Sequence, residues 1–205
     1  SGSVSVNVDG IIASGFVSGG KVVINVKGLS SGVKNALVSY EGDSKYKAAV
    51  ISRSFSVNKI DPVVDVSVGD IDVGDSAVFV ISLDSDASGS VSVNVDSKSN
   101  SSTVSNGKAI IVVSDLASGK KYANISYSGD DKYLPVSISK EFNVNKRTPT
   151  VDVSVVDVNV GDDAEFVISL DSDASGSVSV SVDGKNISGK VINGSATIKI
   201  TSLSV

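Results

Sequence analysis

The residues best equipped for chemistry in this chain are carboxylates. Asp70, Asp72 and Asp75 form one cluster, and Asp157, Asp162 and Asp163 form its counterpart. Asp84-Ser85-Asp86 recurs as Asp171-Ser172-Asp173. Ca²⁺ takes six to eight oxygen ligands, and acidic loops converging at a domain joint supply that donor type. Asp70, Asp72 and Asp75 of one copy, with Asp171 and Asp173 of the next, are therefore the calcium candidates. The competing reading is that Asp caps turns and keeps the surface soluble. Paired carboxylates also raise glycoside hydrolysis. The chain has only three Glu, however, and its acidic residues sit on repeated loops with no evident cleft. Four Asn-x-Ser sequons, at Asn100, Asn124, Asn186 and Asn193, are glycosylation candidates.

Composition removes most other chemistry. The 205 residues include no His, Cys, Met, Trp or Gln. That excludes thiolate or imidazole metal sites, disulfides, and any Cys or His nucleophile or base. Ser is abundant but has no activating base. The expectation is a non-enzyme without cofactor, apart from Ca²⁺ at joints. Net charge is −5 with scattered Lys and Arg, which argues against nucleic acid as a partner. No apolar run approaches the ~18–20 residues that span a bilayer. An apolar fraction of 40% and mean hydropathy of +0.20 argue against disorder.

The elements that position these residues repeat. Ser1-Gly2-Ser3-Val4-Ser5-Val6 recurs at 88–93 and again at 175–180, 87 residues apart each time. Gly42-Asp43…Lys45-Tyr46 returns as Gly129-Asp130…Lys132-Tyr133, and Pro62 maps to Pro149. Between 77–96 and 164–183, eighteen of twenty positions are identical. A period of 87 exceeds a solenoid unit and suits one small β-sandwich. Pro removes an N–H and ends strand pairing, so the polar stretches closed by Pro62 and Pro149 mark the joints. This predicts a partial domain at 1–61 lacking its first two strands. A complete domain follows at 62–148, then a second partial one at 149–205 lacking its last two strands.

Side chains alternate with period two, the mark of strands with one buried face. In the middle copy the pattern predicts strands near 63–68, 77–83, 90–95, 102–105, 108–113, 122–127 and 138–144. The copies also report which face is wet. Val78 becomes Glu165, while Phe79, Ile81 and Leu83 recur as Phe166, Ile168 and Leu170. Ile110 and Val112 become Thr197 and Lys199. Lys140 shares the parity of Phe142, which predicts a bulge or an edge residue reaching for water. Asn106-Gly107, Asn193-Gly194, Gly19-Gly20, Ser88-Gly89 and Asp183-Gly184 read as hairpin turns. Tyr127 and Tyr133 bracket one loop, as Tyr40 and Tyr46 do, and their recurrence favours packing over ligand binding. Seven short strands with regular turns predict an all-β chain of tandem immunoglobulin-like antiparallel β-sandwiches in an elongated rod.

The stretch Ser126-Tyr127-Ser128-Gly129-Asp130-Asp131-Lys132-Tyr133-Leu134-Pro135-Val136-Ser137 resembles the tandem bacterial immunoglobulin-like repeats of large surface proteins. So do Val182-Asp183-Gly184-Lys185, Asn193-Gly194, Ala196-Thr197 and Leu203. Among these repeats, the adhesin-like proteins of methanogenic archaea are the nearest in pattern. The resemblance implies non-enzymatic repeats that build extracellular stalks. The expectation is a structural segment of a cell-surface stalk or filament supporting adhesion. Its partners would be neighbouring repeats of the same chain and other copies in a filament. The alternative is a module binding a cell-surface glycan or protein. The incomplete end copies fit an excerpt of a longer array, or strands supplied by a neighbouring molecule.

Overall fold

The computed structural model describes residues 2–201, so Leu203 of the resemblance lies outside them. The described residues are all-β, with antiparallel sheets throughout apart from short parallel pairings. The chain forms two compact units, Ser1–Asn145 and Lys146–Val205, divided within the polar stretch ahead of Pro149.

The first unit holds the first copy and the middle copy. The first copy contributes β1 (Ser3–Val8), β2 (Ile11–Phe16), β3 (Gly32–Tyr40) and β4 (Ala49–Val57), in the sheet order β2-β1-β3-β4. The middle copy contributes β5 (Asp65–Ser67), β6 (Ile71–Asp72), β7 (Ala77–Ser82), β8 (Ser90–Val95), β9 (Lys98–Thr103), β10 (Lys108–Val113), β11 (Gly119–Tyr127) and β12 (Val136–Asn145). These make two sheets, β10-β7-β5 and β6-β12-β11-β8-β9. Phe79, Ile81, Ala109 and Ile111 of one sheet pack on Val91, Val93, Ala123, Ile125 and Phe142 of the other. Phe79 meets Phe142 edge-on, with centroids 5.6 Å apart, the geometry favoured by aromatic quadrupoles. Val78, Ile110 and Val112 face water, as the third-copy substitutions imply.

Two strands differ from the sequence reading: β6 at Ile71–Asp72 is an additional short strand, and β9 is longer than expected. The short strand expected at 102–105 is the six-residue β9, because a turn at Asp96-Ser97 starts it earlier. Asp96 sits at φ +51°, a left-handed conformation that Asp tolerates and that Gly would have advertised. Ser88-Gly89 is not a hairpin turn but the end of a longer β7–β8 connection. Lys140 sits in an unbroken β11–β12 ladder from Gly119↔Val144 to Tyr127↔Val136. No bulge is needed, since β6 pairs only with Val144 and Asn145 and leaves the rest of β12 at the sheet edge. The turns at Asn106-Gly107 (φ +49° and +68°) and Asn193-Gly194 (φ +50° and +71°) do carry two consecutive left-handed residues.

The second unit contains β13 (Val151–Val155), β14 (Ala164–Leu170), β15 (Gly176–Val182), β16 (Lys185–Val191) and β17 (Ser195–Ile200). Their orders, β13-β14-β17 and β15-β16, match β5-β7-β10 and β8-β9 of the middle copy. Phe166 and Val180 are half-buried, whereas Ala164, Ile168, Ala196, Ile198 and Ile200 are buried.

Candidate functional site

The most heavily bonded polar group of the first unit is the loop between β11 and β12, centred on Asp130. One carboxylate oxygen accepts the amides of Lys132 and Tyr133, both at 2.8 Å. The other accepts the Ser88 amide at 2.8 Å, the Ser88 hydroxyl at 3.1 Å and the Tyr127 hydroxyl at 3.1 Å. Burial alone would raise this carboxyl, but the amides of Ser88, Tyr133 and Lys132 hold it far below the usual carboxylate range. Burial and the bond to Asp130 push Tyr127 up to about 12. Asp86 accepts Lys132 Nζ at 2.6 Å and the Tyr133 hydroxyl at 2.7 Å. Those bonds lower its carboxyl, and the bond to Asp86, followed by that to Tyr133, raises the Lys132 ammonium. Gly129 has φ +72°, and a Cβ there would stand 2.7 Å from the Tyr133 carbonyl. Only glycine fits the start of the loop.

This loop grips the segment that joins the two copies. Ile60 donates its amide to the Lys132 carbonyl, and Leu134 donates to the Ile60 carbonyl, each at 2.9 Å. Ile60 and Tyr133 thereby form an isolated parallel bridge. Lys59 Nζ donates to the Asp130 carbonyl. Ser31 Oγ, ahead of β3, donates to the Asp131 carbonyl at 2.6 Å. A cleft of about 360 Å³ lies beside these contacts, lined in part by Leu29, Val57, Ile60 and Lys132. The arrangement holds polypeptide in place. It presents carbonyls, amides, the Lys132 ammonium paired with Asp86 and the Lys59 ammonium on the Asp130 carbonyl.

A second polar feature recurs in both copies, with Lys34 making one further bond, to Ser30 Oγ at 2.8 Å. Lys34 and Lys121 are buried, and each donates to an aspartate, Asp9 or Asp96, at 2.7 Å. Each pair ties the hairpin turn after β1 or β8 to the start of β3 or β11. Burial removes the ammonium from water, and the carboxylate offsets that cost.

The sequence-derived candidates fall elsewhere. Asp70 accepts the Asn143 amide at 2.7 Å and the Asn143 side-chain nitrogen at 3.1 Å, which lowers its carboxyl. Asp72 closes a turn by accepting the Asp75 amide on its carbonyl. Asp171 accepts the Thr150 amide at 3.0 Å, as Asp84 accepts Val63 at 2.9 Å. Asp173 is exposed. Among the described residues no group of three or more acidic side chains comes together to hold a metal ion. The assigned bonds are those of turn caps and strand anchors. Asn100, Asn124, Asn186 and Asn193 are all exposed. Asn100 donates its amide to the Val112 carbonyl, and Asn124 lies on the outer face of the central strand β11. The sequence places the joint at the polar stretch closed by Pro62, but not the grip of the 129–133 loop on Ile60 and Lys59.

No protein-family model matches the chain, and no curated protein matches it. Three solved structures are similar over much of it. One concerns host cell surface retention of a 1.5-MDa bacterial ice-binding adhesin, with TM-score 0.33, 13% identity, and 98% of this chain and 75% of that one covered. Another is the central fibronectin-III array of RIM-binding protein, with TM-score 0.29, 13% identity, and the same coverage of 98% and 75%. The third is domains 4–9 of surface layer protein SbsC, with TM-score 0.32, 13% identity, and coverage of 88% and 32%. Scores of this size carry no functional inference. The sandwich fold rests on the chain's own strands and core.

Proposed function

We propose that this chain is a structural segment of an extracellular cell-surface stalk or filament, built from tandem immunoglobulin-like repeats and supporting adhesion. The observation that supports it is the joint. The loop at 129–133 is committed to the linker of the preceding copy, and its Gly-Asp-x-Lys-Tyr pattern recurs at the copy spacing. A binding module needs a distinctive site exposed once, whereas a spacer needs the same joint repeated. The commitment of Asp130, Lys132 and Tyr133 to partners within the joint favours the spacer. Exposed sequons at Asn100, Asn124, Asn186 and Asn193 belong to the same proposal, as sites where glycan would coat the stalk.

Two measurements test it. Antibodies raised against residues 62–148 are expected to label intact cells of the source organism; labelling only after lysis removes the surface assignment. NMR residual dipolar couplings are expected to fit one alignment tensor for 2–57 and 62–145. Ile60→Pro, which deletes the amide bonded to Lys132, is expected to require two tensors. Two tensors in the unmodified chain would remove the spacer reading. Intact mass of the native protein reports the glycans.

A further inference from the structure

The sheet β2-β1-β3-β4 repeats β9-β8-β11-β12 strand for strand. Its outer face is the one turned away from Val8 and Lys34. That face is open in the complete middle copy as well, where Tyr122 is 56% exposed. Its exposure is a property of the sheet, whichever strands a copy holds. Along the first strand the outer residues agree, Ser3, Ser5 and Asn7 against Ser90, Ser92 and Asn94. On the other three strands they diverge. Ile12, Phe16, Val33, Leu37 and Val50 stand where the middle copy has Ser99, Thr103, Lys120, Asn124 and Ser137. Their exposures are 67, 84, 77, 47 and 65%. Asn35, against Tyr122, runs the other way. Charge is lost too: Lys120 and Glu141, ion-paired at 2.7 Å, become Val33 and Ser54. The charged residues within β1–β4, Lys34 and Arg53, lie on the inner side. Glu41, at the rim beyond β3, accepts the Ser3 hydroxyl.

We infer that this outer face is an interface between two copies of the chain, packed face to face about a two-fold axis. The register sets Ile12, Asn7, Leu37 and Ser52 in one row across all four strands. An axis along that row places each of the four against its own counterpart, apolar on apolar at Ile12 and Leu37 and polar on polar at Asn7 and Ser52. Charge selects the occupant. A charged partner would lose its hydration against this face and gain no counter-charge. Two such faces meet without opposing like charges, although each chain carries a net charge of −5. The area is sufficient. β1 and β2 are six residues long, and β3 and β4 nine. At strand spacings of about 4.8 Å and about 3.4 Å per residue, the face covers about 500 Å², so a pair buries roughly 1,000 Å². That is the floor for a specific interface, which makes the pairing reversible. The inference rests on the filament reading and names where other copies meet within it. Its test is separate from cell labelling and from the alignment tensors.

Sedimentation equilibrium from micromolar to millimolar concentration is expected to show a monomer–dimer equilibrium. The combined exchange Ile12→Ser, Phe16→Thr, Val33→Lys, Leu37→Asn and Val50→Ser gives each position the residue that the same strand carries in the middle copy. It is expected to raise the dimer Kd by about tenfold or more. Amides of β1 and β3 are expected to keep their exchange protection, which shows that the sheet still forms. A monomer at every concentration overturns the interface, and so does a dimer that the exchange leaves unchanged. Cysteine placement tests the axis, because the chain has no Cys of its own. Leu37→Cys and Val78→Cys replace residues that are both 47% exposed. Under diamide, Leu37→Cys is expected to form the disulfide-linked dimer faster, and equal rates overturn the two-fold arrangement.

Discussion

Phe142 and Phe55 occupy equivalent positions in β12 and β4, and Tyr133 and Tyr46 in the loops ahead of those strands, yet one of each pair is buried and the other open. The aromatic residue and its register are the same in both copies, although neighbours such as Glu141 and Ser54 differ, so the contrast reports on tertiary context. The alternation of Val and Ser fixes which face of a strand is apolar. Only a facing sheet decides whether that face becomes a core. The same lesson applies to β6. Ile71 and Asp72 pair with Val144 and Asn145, whereas their third-copy equivalents, Val158 and Asn159, form no strand in a unit whose described residues include no counterpart of β12.

The largest expected effect tests this contrast directly. Phe79→Ala empties the centre of a closed core and is expected to cost about 3–5 kcal/mol. Phe55→Ala is expected to cost less than half as much, because water already reaches the ring. Hydrogen exchange, read separately on β8–β11 and β1–β3, measures both. Equal losses would break the comparison.

A second prediction sharpens it from the opposite side. The Lys34–Asp9 and Lys121–Asp96 pairs lie within the sheet that both copies possess. Asp96→Ala strands the buried Lys121 ammonium and is expected to cost about 2 kcal/mol, below the range for fully buried pairs because the aspartate is half open. Asp9→Ala is expected to cost less, because Lys34 keeps its bond to Ser30 Oγ at 2.8 Å. Hydrogen exchange on the same strands reads both.

Smaller effects come from the joint loop. Asp130→Asn is expected to lower the Tm of the first unit by about 3–5 °C, the scale of one charge-assisted bond network. Asp43→Asn is expected to lower it less, since the loop it braces through the amides of Lys45 and Tyr46 is more exposed, with Tyr46 59% exposed against 3% for Tyr133.

The smallest effect is a dependence on pH. The amides of Lys45, then Tyr46, draw Asp43 down to about 2, and Asp130 is also depressed. A depressed carboxyl stabilises the fold above its unfolded value, near 3.9. That stability drains as pH falls through the folded value. The loops are expected to hold from neutrality to about pH 4 and to weaken below it. Tyr127 acts at the other extreme. Its raised value means stability present below about pH 10 is lost as pH climbs toward 12. Denaturation midpoints of wild type and Asp130→Asn, compared from pH 2 to 7, are expected to converge in acid.

Much of this was legible in the sequence. Val78 turning into Glu165 named the wet side of β7, and Ile110 turning into Thr197 did the same for β10. The turn at Asp96-Ser97 was hidden because Ser stands where a Gly would have signalled it. The grip at the joint was hidden for a different reason. Its contacts run through the carbonyls and amides of Ile60, Lys132 and Leu134, and main-chain groups leave no mark in residue type. At Asp171 the sequence shows a charge but not the acceptor role toward the Thr150 amide.

One detail of the middle sandwich carries a consequence for load. Near its entry the chain lays Ile71 and Asp72 alongside Val144 and Asn145, near its exit, both running in the same direction. The Asn145 carbonyl also accepts the Val73 amide. Tension drawn between Pro62 and Lys146 therefore slides these two strands past each other in shear. The bonds between them must fail together rather than unzip one at a time.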